Sequence, residues 1–352
     1  MKILLVGPSW IGDTILAQPL MTLLHQRHSN LALDVLAPAW TFPVVERMPE
    51  VRQAIPSPFA HGELMFPERR ALGRALRTEA YDQAIVLPNT LKSAFVPWFA
   101  RIPRRTGYRG EMRWGMLNDV RTLNEKALPQ MSQRYAALGL ERREALPAKL
   151  PRPHLRISAA KRNASLAALD LSFDERIVAL CPGAEYGPAK RWPPSYFAEV
   201  ARELSKSGDT VLLVGSAKDA EIAEDVVRLS GGTCRNLCGK TSLDQAVDVI
   251  AAARLAITND SGLMHVAAAI GTPLVAIYGS STPEHTPPMS ERARIIKLDM
   301  PCSPCFERTC PLGHFNCMMN LKPERVLAEA LAVPRPLGPA GERTSETTAM
   351  RP

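Results

Sequence analysis

The chain opens with Met1-Lys2-Ile3-Leu4-Leu5-Val6-Gly7-Pro8-Ser9-Trp10-Ile11-Gly12-Asp13-Thr14. Residues 3–6 form a short apolar run without charge, which is typical of a buried strand in a parallel sheet. Glycine and proline end this run, and an amphipathic segment, Thr14–Gln26, follows as a predicted helix. A strand that passes through a glycine-containing turn into a helix is the first half of a βαβ unit. The stretch therefore predicts an α/β fold.

The same alternation continues along the chain in two series. In the first series we predict strands at 31–36 and 84–87 and a helix at 68–76; in the second, strands at 177–181, 210–214, 255–258 and 273–278 and helices at 196–204 and 243–252. The proline-rich segment 145–153 between them predicts a linker. We expect two Rossmann-like, doubly wound domains, residues 1–150 and 151–333, facing each other across a cleft. Residues 334–352, rich in Pro, Gly, Ser and Thr, are expected to be a disordered tail.

Positive charge is concentrated in the first domain. The chain has 43 Lys+Arg and 35 Asp+Glu, a net charge of +8. Residues 1–150 hold 20 of the basic and 13 of the acidic residues, a net of +7, which leaves +1 for the rest. A basic half suits an anionic membrane surface or nucleic acid, but no nucleic-acid-binding motif accompanies it. Arg70, Arg74 and Arg77, at helical spacing, are candidates for a membrane contact, and a solvated helix face is the alternative.

The sequence also bears on cellular location. The apolar stretch 261–283 is interrupted by Gly271-Thr272-Pro273, and the N-terminal apolar run is too short for a secretory signal. Seven cysteines are present, one of them in a predicted buried strand (Cys181). We therefore expect a cytoplasmic protein with reduced thiols.

Four cysteines lie close together near the end of the second series, with His314 among them. Their spacing approaches that of a small zinc knuckle, so structural zinc is one hypothesis and packed, reduced thiols are the other. The cluster consists of Cys302, Cys305, Cys310 and Cys317.

Asp13 is the unusual residue of the first loop. Gly7 and Gly12 have the spacing of a phosphate loop, but Asp13 stands where such a loop needs lysine and would repel a phosphate. The loop is not Gly-x-Gly-x-x-Gly either, which disfavours nicotinamide and flavin dinucleotides. Asp13 can cap the following helix, face the cleft as a general base, or do both.

Loops of the second domain that follow strands suit an anion. Lys190 and Arg191 lie together just before a helix, an arrangement that favours a diphosphate, with a solvated surface pair as the alternative. In the loop 258–265, Gly262 allows a ligand to approach free helix-terminal amides, and His265 is predicted to point towards the same ligand. The loop 279–285 adds small hydroxyl residues. One lobe would hold a nucleotide diphosphate, and the other would offer a base to an acceptor.

These motifs resemble those of the ADP-heptose:lipopolysaccharide heptosyltransferases, over residues 1 to about 333. The run Pro301-Cys302-Ser303-Pro304-Cys305-Phe306, with Cys310-Pro311, is more similar to type II members than to type I. The residues that carry the general resemblance are Ile11-Gly12-Asp13, Pro182-Gly183-Ala184, Lys190-Arg191-Trp192-Pro193 and Thr258-Asn259-Asp260-Ser261-Gly262 with His265.

The resemblance implies a GT-B fold and an inverting transfer without metal or other cofactor. The donor would be ADP-L-glycero-D-manno-heptose, and the acceptor would be the first heptose of heptosyl-Kdo2-lipid A, at the inner face of the inner membrane. Asp13 would be the catalytic base, Lys190 would stabilise the departing ADP, and Asp219 would correspond to the family's ribose-binding acidic residue. The other implied ligand contacts are Gly12, Gly183, Arg191, Thr258, Asp260, Ser261, Gly262 and His265.

The residues leave other functions open. A type I heptosyltransferase acting on Kdo2-lipid A would share the donor site. A two-lobed UDP-sugar epimerase, such as one acting on UDP-GlcNAc, would have a similar architecture. A non-catalytic protein that binds adenine nucleotides would need Asp13 only as a helix cap.

Overall fold

The structure is a computed structural model that describes residues 1–59, 62–173 and 175–333. The disordered tail predicted for residues 334–352 lies outside the described residues. Two six-stranded sheets organise the chain, and every strand pairing is parallel. The prediction of two doubly wound α/β domains is confirmed.

The first sheet has the strand order β3-β2-β1-β4-β5-β6. Its strands are β1 (Lys2–Val6), β2 (Ala32–Ala37), β3 (Gln53–Pro56), β4 (Gln83–Val86), β5 (Arg104–Tyr108) and β6 (Asp119–Arg121). The helices of this half are α1 (Ile11–Leu16), α2 (Gln18–Arg27), α3 (Phe42–Val45), α4 (Phe66–Ala75), α5 (Phe95–Phe99) and α6 (Met131–Leu138).

The second sheet repeats this order as β12-β11-β10-β7-β8-β9. Its strands are β7 (Ile177–Cys181), β8 (Thr210–Leu213), β9 (Arg235–Asn236), β10 (Leu255–Asn259), β11 (Leu274–Ile277) and β12 (Ala293–Ile296). Its helices are α7 (Ala159–Ala167), α8 (Pro194–Lys206), α9 (Ala220–Ser230), α10 (Leu243–Ala252), α11 (Gly262–Ile270), α12 (Asn316–Met319) and α13 (Pro323–Leu331). The linker predicted at 145–153 lies in the segment 139–158, which has neither helix nor strand.

The helix predicted at Thr14–Gln26 is two helices, and it begins earlier than expected. The chain bends at Ala17, between α1 and α2, because Pro19 has no amide hydrogen and its ring would collide with the carbonyl of Ile15 in a continuous helix. α1 starts at Ile11, so Asp13 lies in its first turn. Trp10 occupies the N-cap position. The prediction that Asp13 caps the helix is therefore wrong.

The two domains touch where α1 packs against α11. A Cβ atom on Gly12 would lie 2.8 Å from Cδ2 of His265, and one on Gly262 would lie 3.1 Å from Cβ of Ile11. Gln18 strengthens the contact, since its side chain donates to the carbonyl of His154 at 2.7 Å and accepts from the amide of His154 at 2.9 Å. Glycine at both helix starts thus lets the loops after β1 and β10 meet in one place.

In each sheet the strand order reverses between the first and fourth strands, that is β1/β4 and β7/β10. Ligands of open parallel sheets bind outside the carboxyl ends of the strands at such a reversal. The loops after β1, β7 and β10 leave from these positions. Topology therefore brings the loops singled out in the sequence to one cleft.

Candidate active site

A cavity of about 990 Å³ lies between the carboxyl ends of the two sheets. Both domains line it. Arg191 and Thr258 are absent from its lining. The predicted site residues that line it are Gly12, Asp13, Gly183, Lys190, Asp219, Asp260, Ser261, Gly262 and His265.

The carboxyl group of Asp13 has an unusual environment. Burial raises its pKa to about 6; the positive charges of His285 and Lys190 oppose that rise, and the negative charge of Asp260 adds to it. A carboxylate with a pKa near 6 is ionised at neutral pH, yet it is a stronger base than an ordinary aspartate. Asp13 is thus suited to accept a proton inside the cavity.

Lys190 and Asp260 form an ion pair in the second domain. Lys190 Nζ donates to Asp260 Oδ2 at 2.5 Å, and Ser281 Oγ donates to the same oxygen at 2.5 Å. Asp260 is buried and Ser281 is buried beside it. Ser281 belongs to the loop after β11, which was only a weak candidate in the sequence. In the structure this loop holds Asp260, the partner of Lys190.

The start of α11 offers free backbone donors. Ser261 is its N-cap residue and makes no side-chain capping bond. Among the described residues, none accepts a hydrogen bond from the amides of Ser261, Gly262 or Leu263. These amides and the positive end of the helix dipole can bind an anion next to Lys190.

Asp219 lines the second-domain wall of the cavity, at the end of the short 3₁₀ helix Ala217–Asp219 that follows β8. Its Oδ2 accepts from the amide of Ser216 at 2.9 Å and from the hydroxyl of Ser216 at 2.8 Å, which fixes the turn. A Cβ on Gly183 would lie 2.2 Å from its Oδ1, so only glycine fits there. Asp219 shapes the cavity through this turn, and its predicted contact with a ribose stays a prediction.

His265 lines the cavity but is almost completely buried against Gly12. Burial lowers its pKa to about 4, with Asp260 raising it and Lys190 lowering it further. The imidazole is therefore neutral at physiological pH and has no charge to offer a diphosphate. Its clearest structural role is to pack α11 against α1.

Arg191 and Thr258 support the loops from outside the cavity. The Arg191 guanidinium donates to the carbonyl of Ala184 at 3.4 Å, and the Thr258 hydroxyl donates to the carbonyl of Asn259 at 2.7 Å. Their predicted contact with the donor stays a prediction. In the structure both residues contact neighbouring backbone carbonyls.

Several residues in the cavity lining or next to it were missed in the sequence. His285 does not itself line the cavity, but it precedes the lining residue Thr286 and reaches across to the first domain, where its Nδ1 lies 3.0 Å from the carbonyl of Pro129. Trp10 and Trp40 also line the cavity, as do residues at the start of α10, Thr241, Ser242 and Leu243. Ser242 followed by Gln245 was a readable capping-box signal for that helix start.

The four clustered cysteines line one small cavity of about 20 Å³, together with His314. Within residues 1–59, 62–173 and 175–333, no three His, Cys, Asp or Glu side chains are arranged so that they could hold a metal ion. The amide of Phe315 instead donates to Cys310 Sγ at 3.4 Å. Structural zinc and packed, reduced thiols therefore both remain hypotheses for this cluster.

No helix in the described part of the chain has the length and apolar character needed to span a membrane.

The chain is similar to known heptosyltransferases along most of its length. It is 47% identical to lipopolysaccharide heptosyltransferase 2 of Escherichia coli (strain K12), with 95% of this chain and 98% of that protein covered. It is 46% identical to the Salmonella typhimurium protein of the same name, with 94% and 97% covered. The solved structure of E. coli ADP-heptose LPS heptosyltransferase II superposes with a TM-score of 0.85 at 46% identity, covering 95% and 98% of the two chains.

The family described as glycosyltransferase family 9 (heptosyltransferase) matches residues 69–316. This range runs from α4 of the first domain to α12 of the second, so it includes Lys190 and Asp260, whereas the first-domain residues that line the cavity, 9–13 and Trp40, precede it. Together with the identity to full-length relatives, it shows that the chain belongs to glycosyltransferase family 9, the heptosyltransferases.

Proposed function

We propose that this protein transfers L-glycero-D-manno-heptose from ADP-heptose to the first heptose of the lipopolysaccharide inner core, with inversion. The observation that carries the proposal is the cavity itself, in which a raised-pKa carboxylate on one domain faces a lysine and free helix amides on the other. The names of the relatives support both the donor and type II rather than type I. Membership of the family favours a transferase over the epimerase alternative.

The proposed reaction is a single displacement. A hydroxyl oxygen of the acceptor attacks C1 of the donor heptose, its proton passes to Asp13, and the bond between C1 and the diphosphate oxygen breaks. The electron pair leaves with ADP, on which negative charge grows. Lys190 and the free amides at the start of α11 are positioned to stabilise that charge.

The nucleotide has a natural place in the second domain. Gly183 and Gly215 line the cavity at the strand ends, where both pack against Asp219, and Thr241 and Ser242 bring hydroxyl groups to the same wall. Such a mixture of apolar wall and few polar groups is typical of nucleotide pockets. We place the adenosine here and the diphosphate between it and Lys190.

Incubation with ADP-heptose and a lipopolysaccharide core that ends at the first heptose tests the function. We expect a product one heptose larger together with ADP. Kdo2-lipid A, which lacks the first heptose, serves as the second acceptor. Transfer to Kdo2-lipid A alone would make the protein a type I enzyme, and transfer to neither would refute the proposal.

The rate should depend on pH through Asp13. The base must be ionised to accept the proton, and its pKa is raised to about 6. We therefore expect kcat/KM for the acceptor to be constant above about pH 7 and to fall about tenfold per pH unit below about pH 6. Initial rates from about pH 5 to 8 check this. A profile that stays flat down to pH 5 would contradict it.

The membrane contact is proposed for the exposed side of α4 and the short 3₁₀ helix that follows it, Leu76–Glu79. Desolvation and the charges of Arg101, Arg74 and Arg70 lower the pKa of Arg77, which indicates that these four guanidinium groups lie close together. Arg77 donates only to the carbonyl of Phe99, and no acidic residue in the described ranges pairs with the other three. An unpaired cationic cluster suits anionic headgroups.

Other basic residues of the first domain are used internally. Arg104 pairs with Asp119 and Glu141, and Arg105 donates to backbone carbonyls. Arg113 donates to the carbonyls of Pro88 and Tyr108, both at 2.6 Å. Arg104, Arg105 and Arg113 are therefore not free to bind an anionic surface, and the α4 cluster is the surface that we propose.

Reversing Arg70, Arg74 and Arg77 to Glu should raise the apparent KM for membrane-embedded acceptor and leave the KM for ADP-heptose unchanged. Each cation near an anionic surface contributes about 1 kcal/mol, so three reversals are measurable by vesicle sedimentation at low salt. The effect should shrink towards physiological salt, where the Debye length is about 8 Å.

A matched control reverses three exposed cations of the second domain, Lys206, Arg228 and Arg235. Equal loss of vesicle binding in both triple variants would show a nonspecific charge effect. If the α4 variant binds vesicles as tightly as the wild type, its arginines form a solvated helix face and not a membrane contact.

A further inference from the structure

Two tryptophan side chains stand on the wall that carries Asp13. Trp10 directly precedes α1 and keeps 43% of its surface exposed, and Trp40, in the short 3₁₀ helix Ala39–Thr41 that follows β2, keeps 53%. Both line the cavity. Trp192 of the second domain, by contrast, is fully buried. Large aromatic surface left open inside a cavity, beside a reactive group, marks a place where a ligand binds.

Hydrogen bonds fix both tryptophans relative to Asp13. The indole Nε1–H of Trp40 donates to the carbonyl of Ser9 at 3.0 Å. The carbonyl of Trp10 accepts from the amide and the hydroxyl of Thr14, both at 2.9 Å. The loop 7–10 is therefore tied to α1, and Trp40 is tied to that loop. The indole of Trp40 and the backbone of Trp10 are therefore both held beside the start of α1, which carries Asp13.

The chemistry of this wall selects an uncharged ring. Among the described residues of the first domain, Asp13 is the only charged one in the cavity lining, so a phosphate or a carboxylate would meet a negative charge and no described cation there. The face of an indole carries negative charge, and it attracts groups with positively polarised edges. A pyranose presents such a face through its axial C–H groups, and its hydroxyls point outwards from the rim.

We propose that Trp10 and Trp40 form the subsite for the sugar ring that receives the transferred heptose. The inference rests on the proposed function, in which Asp13 takes the proton from a hydroxyl of that ring. That hydroxyl must come within about 3 Å of the Asp13 carboxylate. The ring is thereby confined to the space beside the start of α1, which is where the two indoles lie.

Direct binding measurements test the subsite. The probe is the deacylated heptosyl-Kdo2 oligosaccharide, and its Kd is measured by calorimetry for the wild type, Trp10→Ala and Trp40→Ala. We expect the Kd of the oligosaccharide to rise about tenfold in each variant and the Kd of ADP to stay within about twofold. Trp10→Phe should recover part of the loss, because phenylalanine restores an aromatic face but a smaller one.

Trp114→Ala is the matched control, since Trp114 is 65% exposed in the first domain and does not line the cavity. It should bind both ligands as the wild type does. Unchanged oligosaccharide binding in both cavity variants, or a wild type that does not bind the oligosaccharide, would overturn the subsite. Weaker ADP binding with unchanged oligosaccharide binding would also overturn it, because the indoles would then hold the nucleotide.

The same experiment separates the two proposals. A wild type that binds the oligosaccharide through the tryptophans but transfers no heptose would refute the proposed function and support the subsite. If the enzyme transfers heptose and neither substitution changes the KM for the acceptor or the Kd of the oligosaccharide, the subsite is refuted and the proposed function is supported.

Discussion

Asp13→Asn should lower kcat by about 10²–10⁴-fold and leave the Kd of ADP unchanged, because the amide cannot accept the proton of the acceptor hydroxyl. Asp13 makes no capping bond, and asparagine has the same shape, so the loss does not come from the helix. Single-turnover kinetics with saturating ADP-heptose measure the chemical step. A loss below about tenfold in a folded variant would remove Asp13 from the role of base.

The same variant should be more stable than the wild type at neutral pH. The folded state raises the pKa of Asp13 from 3.8 to about 6, so it holds a proton more tightly than the unfolded chain. Ionisation of Asp13 therefore lowers the free energy of unfolding. This destabilisation is absent below about pH 4, grows between about pH 4 and 6, and reaches up to about 3 kcal/mol at pH 7. Asparagine removes this destabilisation. A raised Tm at pH 7 together with lost turnover would exclude unfolding as the cause.

Asp82→Asn provides the matched control for both measurements. Asp82 is an exposed carboxylate of the same domain, outside the cavity, and accepts from the amide of Lys2 at 2.7 Å. An asparagine oxygen can accept the same bond. Turnover equal to that of Asp13→Asn in this control would show that the loss is not specific to the cavity.

The strands that build the site could be predicted because they are buried on both faces. β7, for example, is a continuous apolar run with every residue buried, and its predicted bounds were correct. β5 and β6 were missed, since Arg104, Arg105 and Arg121 interrupt their apolar pattern. Arg104 is satisfied by Asp119 and Glu141, which lie 15 and 37 positions away, Arg105 donates to the carbonyls of Ile102 and Met116, and Arg121 pairs with Asp119 of its own strand. The local apolar pattern does not show which partners satisfy these arginines, so it could not predict β5 and β6.

The same limit applies to the site. Asp13 was found because it follows a strand and stands where a phosphate loop needs lysine, and Lys190 was found because it lies with Arg191 after a strand and just before a helix. The ion pair between Lys190 and Asp260 joins residues 70 positions apart, and it depends on the register of β7 and β10. The pKa of Asp13 depends on burial between two domains and on His285 from the other one. Trp40 was missed because nothing in its local sequence relates it to Ser9.

Lys190→Ala should lower kcat by about 10²–10³-fold and weaken ADP binding, since it removes the cation that we propose stabilises the departing diphosphate. The lysine is partly buried, with 17% of its side chain exposed, so water replaces its charge poorly. Lys218→Ala is the matched control. That lysine lines the same cavity, but 72% of its side chain is exposed and it pairs with Glu185. We expect a much smaller effect there.

A second variant separates charge stabilisation from damage to the loop. Lys190→Ala leaves the buried Asp260 carboxylate with Ser281 as its remaining partner, and an unpaired buried charge could distort the start of α11. Adding Asp260→Asn removes that charge. If the lysine acts on the diphosphate, the double variant stays as slow as Lys190→Ala, because no cation returns to the site. Recovery of turnover in the double variant would instead show that Lys190 serves only to neutralise Asp260, and the leaving group would have to be stabilised by the helix amides alone.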